Sequence, residues 1–433
     1  MRLDFWFDLS CPYAYLASRQ LDALTAGLEV DLRYQPMLLG GVFRAIGVGE
    51  GPMATLSDGK RDHLARDLAR WADHHQVELR TPPGHPVRTL RALRSLLGVA
   101  EASWPAAVRE LYAAYWRRGE DVSRDDVLLA ALRRAGLAEA QAREAIDGAD
   151  TEVRKQALRE RTDRAVSLGI FGAPAFVLHA PDRSEPRLLW GQDRMMWVRA
   201  LLEGWRPPAP PPRPPAEPAA APPRAAAPPR VVELYFDTAS PYSYLALTQI
   251  ERAARGHQLR LRPILLGGLF RTIGTPEVPL FAFPEAKRRY LMSELGLWSA
   301  WWSVPFAFPA KFPQRTTTVQ RILLAAEHDR ALQLRLALAF ARGMWAQARD
   351  LEDEAQVVDV LRAEGAPLEL LAQAATPAAK AALIEATADA AARGVFGVPT
   401  CVLDGDAGPR RFWGQDRLEL VTAALAGWTA PGE

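Results

Sequence analysis

Residues 8–17 read DLSCPYAYLA, and residues 237–246 read DTASPYSYLA. The chain carries nearly the same decapeptide twice, with Cys11 in the first copy where the second has Ser240. Each follows a short apolar run, 3–7 or 232–236, that reads as a buried strand, and each then turns into a helix at Pro. Proline is favoured in a first helical turn, where its missing N–H costs nothing.

Working outward, the copies continue in step. QPMLLGGVFRAIG (35–47) matches RPILLGGLFRTIG (262–274), LGIFGAPAFVL (168–178) matches RGVFGVPTCVL (393–403), and LWGQDRMMWV (189–198) matches FWGQDRLELV (412–421). The spacing between equivalent residues shrinks only slowly, which marks domain duplication rather than a short solenoid repeat. A second strand is expected over 30–35 and 258–263, and a helical insertion of roughly 120 residues follows it. A turn containing Gly and Pro then leads into strands at 175–178 and 400–403, then at 188–190 and 411–413, and a last helix closes the unit. Strand–helix–strand, helical insertion, strand–strand–helix is a thioredoxin-like α/β layout. Between the copies, 206–230 is about half proline and lacks glycine, so it reads as a semi-rigid polyproline spacer. The expected domains are therefore 1–205 and 231–433, joined by the linker 206–230.

Bulk composition sets outer limits. The 433 residues exceed one ordinary core and suffice for two. A formal charge of +2 gives no bulk attraction to nucleic acid or anionic membrane. No apolar run reaches membrane-spanning length and none of signal-peptide length follows a basic start, so neither membrane spanning nor export is expected. Two cysteines, Cys11 and Cys401, are too few for a disulfide framework and fit a reducing cytoplasm. His63, His74, His75 and His85 cluster in the first insertion without a ligand set for zinc, so no metal is expected. Cys401 falls on a predicted strand and reads as a buried apolar thiol.

Three elements carry the chemistry. Cys11 and Ser240 sit where helix-start N–H groups lack intrahelical partners. A thiolate exposed there is stabilised, so Cys11 is expected to have a depressed pKa. The Ser240 hydroxyl either caps its helix or donates to a thiolate brought by another molecule. Pro174 and Pro399 stand just before strands, where a cis X-Pro turn fits, leaving the backbone of Ala173 and Val398 to pair with an extended thiol peptide. In WGQDR, Asp193 and Asp416 either cap the last helix or grip a ligand ammonium, beside Arg194 and Arg417. Aromatics in 110–119 and 298–308 read as core or as lining of a hydrophobic pocket.

Together, FDTASPYSYLA, LLGGLFRTIG, FGVPT and FWGQDR resemble the 2-hydroxychromene-2-carboxylate isomerase family. That family lies close to the kappa-class glutathione transferases within the DsbA-like thioredoxin superfamily. The resemblance covers both halves and implies two DsbA-like domains. It also implies glutathione as cosubstrate, with Ser240 (and Cys11 in its place) at the sulfur. Val398, Pro399, Asp416 and Arg417, with Ala173, Pro174, Asp193 and Arg194, would contact glutathione. Lys287 and Lys60, Tyr242 and Tyr13, and Arg315 and Arg88 are implied at the substrate. Family members pair as dimers, which implies an internal pseudo-dimer. Arg88 and Arg315 stand where relatives have asparagine, so the small-molecule substrate is expected to differ from hydroxychromene. The leading expectation is a cytoplasmic glutathione-dependent isomerase or transferase acting on an aromatic or unsaturated carboxylic acid. The alternatives are monothiol disulfide exchange at Cys11 with glutathione, or one catalytic copy beside a degenerate scaffold. CPYA lacks a second cysteine, which excludes two-thiol exchange within that copy.

Overall fold

The computed structural model describes residues 1–49, 51, 56–181, 185–211, 229–276, 278–405 and 408–432. Most of the expected linker, 212–228, lies outside them. Two compact units result. Unit 1 comprises Met1–Thr55, Leu68–Trp205 and Pro284–Tyr290; unit 2 comprises Leu56–Asp67, Arg206–Phe283 and Leu291–Glu433. Each unit thus includes a short helical segment from the other half of the sequence.

Unit 1 is built on strands β1 (Arg2–Phe7), β2 (Asp31–Pro36), β3 (Ala175–His179) and β4 (Arg187–Trp190), in the order β2-β1-β3-β4. Strand β1 pairs parallel with β2 through the helix Pro12–Ser18, and antiparallel with β3. Unit 2 repeats this with β5 (Val231–Phe236), β6 (Gln258–Pro263), β7 (Thr400–Leu403) and β8 (Arg410–Trp413), ordered β6-β5-β7-β8. The central strands run almost uninterruptedly apolar because both faces are covered. On one face of β1, Trp6, Met37, Val42, Ala165, Ile170 and Val177 form a buried cluster; in unit 2, Tyr235, Ile264, Leu269, Ala390, Val395 and Val402 do the same. On the other face, Phe5, Phe7, Phe176 and Tyr112 pack ring against ring.

Expected and observed strands agree within one or two residues. The insertions are helical, as expected, running from Asp58–His74 to Glu152–Ser167 and from Glu285–Trp302 to Pro377–Ala392. Among the described residues, no helix is long and apolar enough to cross a membrane.

Candidate active site

A buried carboxylate organises each helix start. In unit 2, Asp237 closes β5 and accepts hydrogen bonds from Ala239 N (2.9 Å), Leu266 N (2.7 Å) and Thr316 Oγ1 (2.6 Å). In unit 1, Asp8 accepts from Ser10 N (3.0 Å), Ser10 Oγ (3.1 Å), Leu39 N (2.8 Å) and Thr89 Oγ1 (2.7 Å). Burial raises the pKa of both carboxyl groups, while these bonds pull it down. Each carboxylate fixes three things at once: the loop before the helix, the LLGG segment, and the segment HPVRT or FPQRT. Neither aspartate was singled out in the sequence, although the repeated D at the head of both decapeptides was the available signal.

The LLGG segment is held from below as well. Leu38 N donates to Thr162 Oγ1 and Leu265 N to Thr387 Oγ1, both at 3.1 Å. The second glycine permits this approach: a Cβ on Gly41 would stand 3.0 Å from Thr162 Cγ2.

Ser240 is the N-cap of the helix Pro241–Leu247 and is buried. Its oxygen accepts from Ser243 N at 3.2 Å, and its hydroxyl donates to Val398 O at 3.5 Å. The capping expected of Ser240 is thus observed. Cys11 caps nothing with its side chain; its thiol donates to Ala173 O at 3.1 Å. The expectation of an exposed thiol with a depressed pKa is corrected here. Cys11 is 7% exposed, and burial pushes its pKa up to about 12; Asp8 adds to the rise, and bonds from Ala14 and Tyr13 only partly oppose it. Cys401 lies buried on β7, as expected, and burial pushes it up to about 12 too.

The Ala173–Pro174 and Val398–Pro399 peptides are both cis. Among the described residues, the N–H groups of Ala173 and Val398 have no hydrogen-bond partner. The WGQDR segments are tied to these turns by Gly191 N to Pro174 O (3.0 Å) and Gly414 N to Pro399 O (2.9 Å). Gly191 and Gly414 take φ of 109° and 110°, where a side chain is strained. A Cβ on Gly414 would also fall 2.3 Å from Asp416 Oδ1. Asp193 and Asp416 sit in single 3₁₀ turns, Gln192–Arg194 and Gln415–Arg417, just ahead of the last helices. Each aspartate pairs with the next arginine, at 3.2 Å in unit 1 and 3.0 Å in unit 2. In unit 2, Arg417 also donates to both Asp67 oxygens, at 2.8 and 3.0 Å.

The fold therefore gathers Ser240, Val398, Pro399, Asp416 and Arg417 in unit 2, and Cys11, Ala173, Pro174, Asp193 and Arg194 in unit 1. The lysines follow the exchanged segments. Lys60 Nζ lies 5.1 Å from the Trp413 ring centre in unit 2, with burial lowering its pKa, and Lys287 Nζ lies 5.8 Å from Trp190 in unit 1. Tyr242 Oη donates to Glu294 Oε2 at 3.4 Å, and Tyr13 is half-buried on its helix. Arg88 is exposed, and the 88%-exposed Arg315 pairs with Glu352 at 3.2 Å. Their neighbours Thr89 and Thr316 are the residues of those segments that reach the helix start.

Comparison with known proteins bears on the fold of each half. The DSBA-like thioredoxin domain matches residues 2–203 and again 231–426. Rat glutathione S-transferase kappa 1 is 30% identical over 218 residues, covering 48% of this chain and 94% of that protein. The 2-hydroxychromene-2-carboxylate isomerase of Pseudomonas putida is 30% identical over 203 residues, covering 47% and 94%. A solved 2-hydroxychromene-2-carboxylate isomerase aligns at 24% identity with a TM-score of 0.40, covering 47% of this chain and 95% of that one. Matches of this kind each span one half, as a tandem duplication requires. The chain belongs to the family of the DSBA-like thioredoxin domain and carries that domain twice.

Proposed function

We propose that the chain is a glutathione-dependent isomerase or transferase whose sulfur chemistry resides in unit 2. The observation that carries this reading is the Ser240 hydroxyl, buried between the Ser243 N–H and the Val398 carbonyl of the cis-proline turn. A glutathione sulfur arriving there receives the hydroxyl proton as a hydrogen bond, which favours the thiolate over the thiol. The unpartnered Val398 N–H is suited to the extended peptide backbone, and the Asp416 carboxylate to the γ-glutamyl ammonium. The thiolate then adds to an electrophilic carbon conjugated to an aromatic or unsaturated acid. With the double bond reduced to a single bond, rotation follows, and elimination of the thiolate restores both the double bond and the catalyst. In a transferase reaction the adduct is instead kept, with the thiol proton ending on the adjacent carbon. Fixed donors at the sulfur supply both orientation and charge stabilisation. A reducing compartment such as the cytoplasm suits a free thiol cosubstrate.

Unit 1 keeps its own sulfur in the equivalent place. Cys11, protonated and bonded to Ala173 O, supports the reading of this copy as one that does not present a hydroxyl to glutathione. That burial counts against monothiol exchange at Cys11, whose nucleophile would be the thiolate. The test is a pH titration of bound-glutathione thiolate absorbance in wild type and Ser240→Ala. The variant is expected to raise the bound thiol pKa and depress turnover; identical titration and kinetics would remove Ser240 from the mechanism.

A further inference from the structure

The two units differ at one wall beside the helix start. In unit 2, the segment before Thr316 contributes Phe306, Phe308 and Phe312, all half-buried around the fully buried Trp345. Phe306 stacks on Trp345 at 6.0 Å with only 5° between the planes. Phe308 meets Trp345 at 5.7 Å and Phe312 at 5.0 Å, and Phe312 lies 6.0 Å from Trp345. Phe281, 58% exposed on the short helix Pro279–Ala282, faces Phe312 edge-on at 6.4 Å. The wall is anchored to the Ser240 loop twice: Trp345 Nε1 donates to Thr238 O at 2.8 Å, and Thr316 bonds Asp237.

Matching hydrogen bonds identify the corresponding residues of unit 1. Tyr15 Oη donates to Glu78 O as Tyr244 Oη does to Pro305 O, both at 2.9 Å. Arg80 N donates to Trp116 O as Ala307 N does to Trp345 O, both at 2.6 Å. Leu79, Thr81 and His85 therefore occupy the positions of Phe306, Phe308 and Phe312. The unit 1 wall is polar at its centre. Tyr115 Oη accepts from Val87 N at 2.9 Å and shares a hydrogen bond with His85 Nδ1 at 2.8 Å.

We propose that the wall of Phe308, Phe312 and Phe281 seats a flat, apolar aromatic ring of the electrophilic cosubstrate in unit 2, and that unit 1 lacks this specificity. The inference deepens the proposed function and rests on it for the identity of the electrophile. Half-buried rings in edge-to-face contact leave faces and edges for a further ring to complete the same packing. The cations of this segment are already matched, Lys311 by Asp350 (3.0 Å) and Glu352 (3.4 Å), and Arg315 by Glu352. That arrangement favours an uncharged ring over a carboxylated one at the wall.

The test uses the full chain with glutathione and two uncharged enones, benzylideneacetone with a phenyl ring and methyl vinyl ketone without one. Thiol addition forms the C–S bond at the β carbon and delivers the thiol proton to the α carbon. Giving unit 2 the residues of unit 1, Phe308→Thr with Phe312→His, is expected to raise KM for benzylideneacetone about ten-fold. KM for methyl vinyl ketone and kcat for both should stay within two-fold. An equal loss on both enones, or no loss on either, overturns the proposal. Saturation-transfer NMR separates it from the underlying reading, because it needs no turnover. Ring protons of benzylideneacetone should receive saturation from wild type and lose it in the double variant. Ring saturation that depends on the wall, with no glutathione turnover in wild type, would sustain the wall and sink the proposed reaction. Ring saturation equal in both proteins, or absent from wild type, would sink the wall.

Discussion

The loop before the helix start is held differently in the two units. In unit 1, Tyr112 Oη donates to Asp8 O at 3.1 Å, and Trp116 Nε1 to Leu9 O at 2.8 Å. Unit 2 keeps the tryptophan bond through Trp345 but has Ala341 at the tyrosine position. There Gln320, fully buried where unit 1 has Leu93, donates to Phe236 O (3.0 Å) and Ile264 O (2.9 Å) and accepts from Thr238 Oγ1 (3.0 Å). Both solutions bond buried backbone carbonyls, and those with no other donor, such as Leu9 O and Ile264 O, would otherwise cost about 1–3 kcal/mol each. The path of the loop is thus the shared requirement, and the side chains that enforce it are interchangeable. What differs is the atom presented at its end, a thiol or a hydroxyl.

The sharpest way to break that contrast is at those two atoms. Ser240→Ala should cut glutathione-dependent turnover about 100-fold, the scale of one lost donor at a developing anion, while Cys11→Ala leaves it within two-fold. Equal losses in steady-state kinetics would make the units equivalent. Next in size, Gln320→Leu removes the partner of Ile264 O and of the Thr238 hydroxyl, while Phe236 O keeps the Ile264 N–H, and should cost about 2–3 kcal/mol of unfolding free energy in urea titrations. The reverse change in unit 1, Leu93→Gln, buries an amide where Tyr112 already serves the loop and should cost about 2 kcal/mol. A neutral Leu93→Gln would show that unit 1 is as adaptable as unit 2. Gly414→Ala should destabilise by roughly 1–3 kcal/mol from its backbone conformation. It should also weaken glutathione binding in calorimetry by displacing Asp416, whereas Gly191→Ala affects stability alone.

The last effect is electrostatic and shows only at alkaline pH. A Cys11 pKa raised from 9.0 to about 12 on folding means that, between those pH values, the native chain keeps a proton the unfolded chain has lost. Stability should therefore fall as pH rises through that window, and Cys11→Ala should make the fall shallower in thermal melts. A fall that is unchanged in the variant would assign it to other groups, Cys401 among them.

Much of this was legible because the sequence repeats itself. Two copies of one pattern turned weak signals at Pro12 and Pro241, Pro174 and Pro399, and WGQDR into a consistent strand and helix order. The cis turns and the buried strand thiol of Cys401 followed from local rules about proline and apolar runs. The carboxylates Asp8 and Asp237 were not legible, because their partners come from far along the chain; Asp8 bonds residues 31 and 81 positions away. Cys11 was misjudged for the same reason: its burial and its carbonyl partner depend on a turn 162 residues later. The exchange of short helical segments leaves no local trace at all, since Lys60 and Lys287 read alike in both copies.

The Ser240 hydroxyl has two partners of unequal grip. Its oxygen is engaged by the Ser243 N–H at 3.2 Å, whereas its proton reaches Val398 O only at 3.5 Å. Turning one side-chain bond frees that proton without disturbing the cap, so in the proposed reaction the helix start need not loosen to receive a sulfur anion. The thiol of Cys11, seated 3.1 Å from its carbonyl, has no such slack. One unit holds a latch that swings on a fixed hinge, and the other holds the same latch closed.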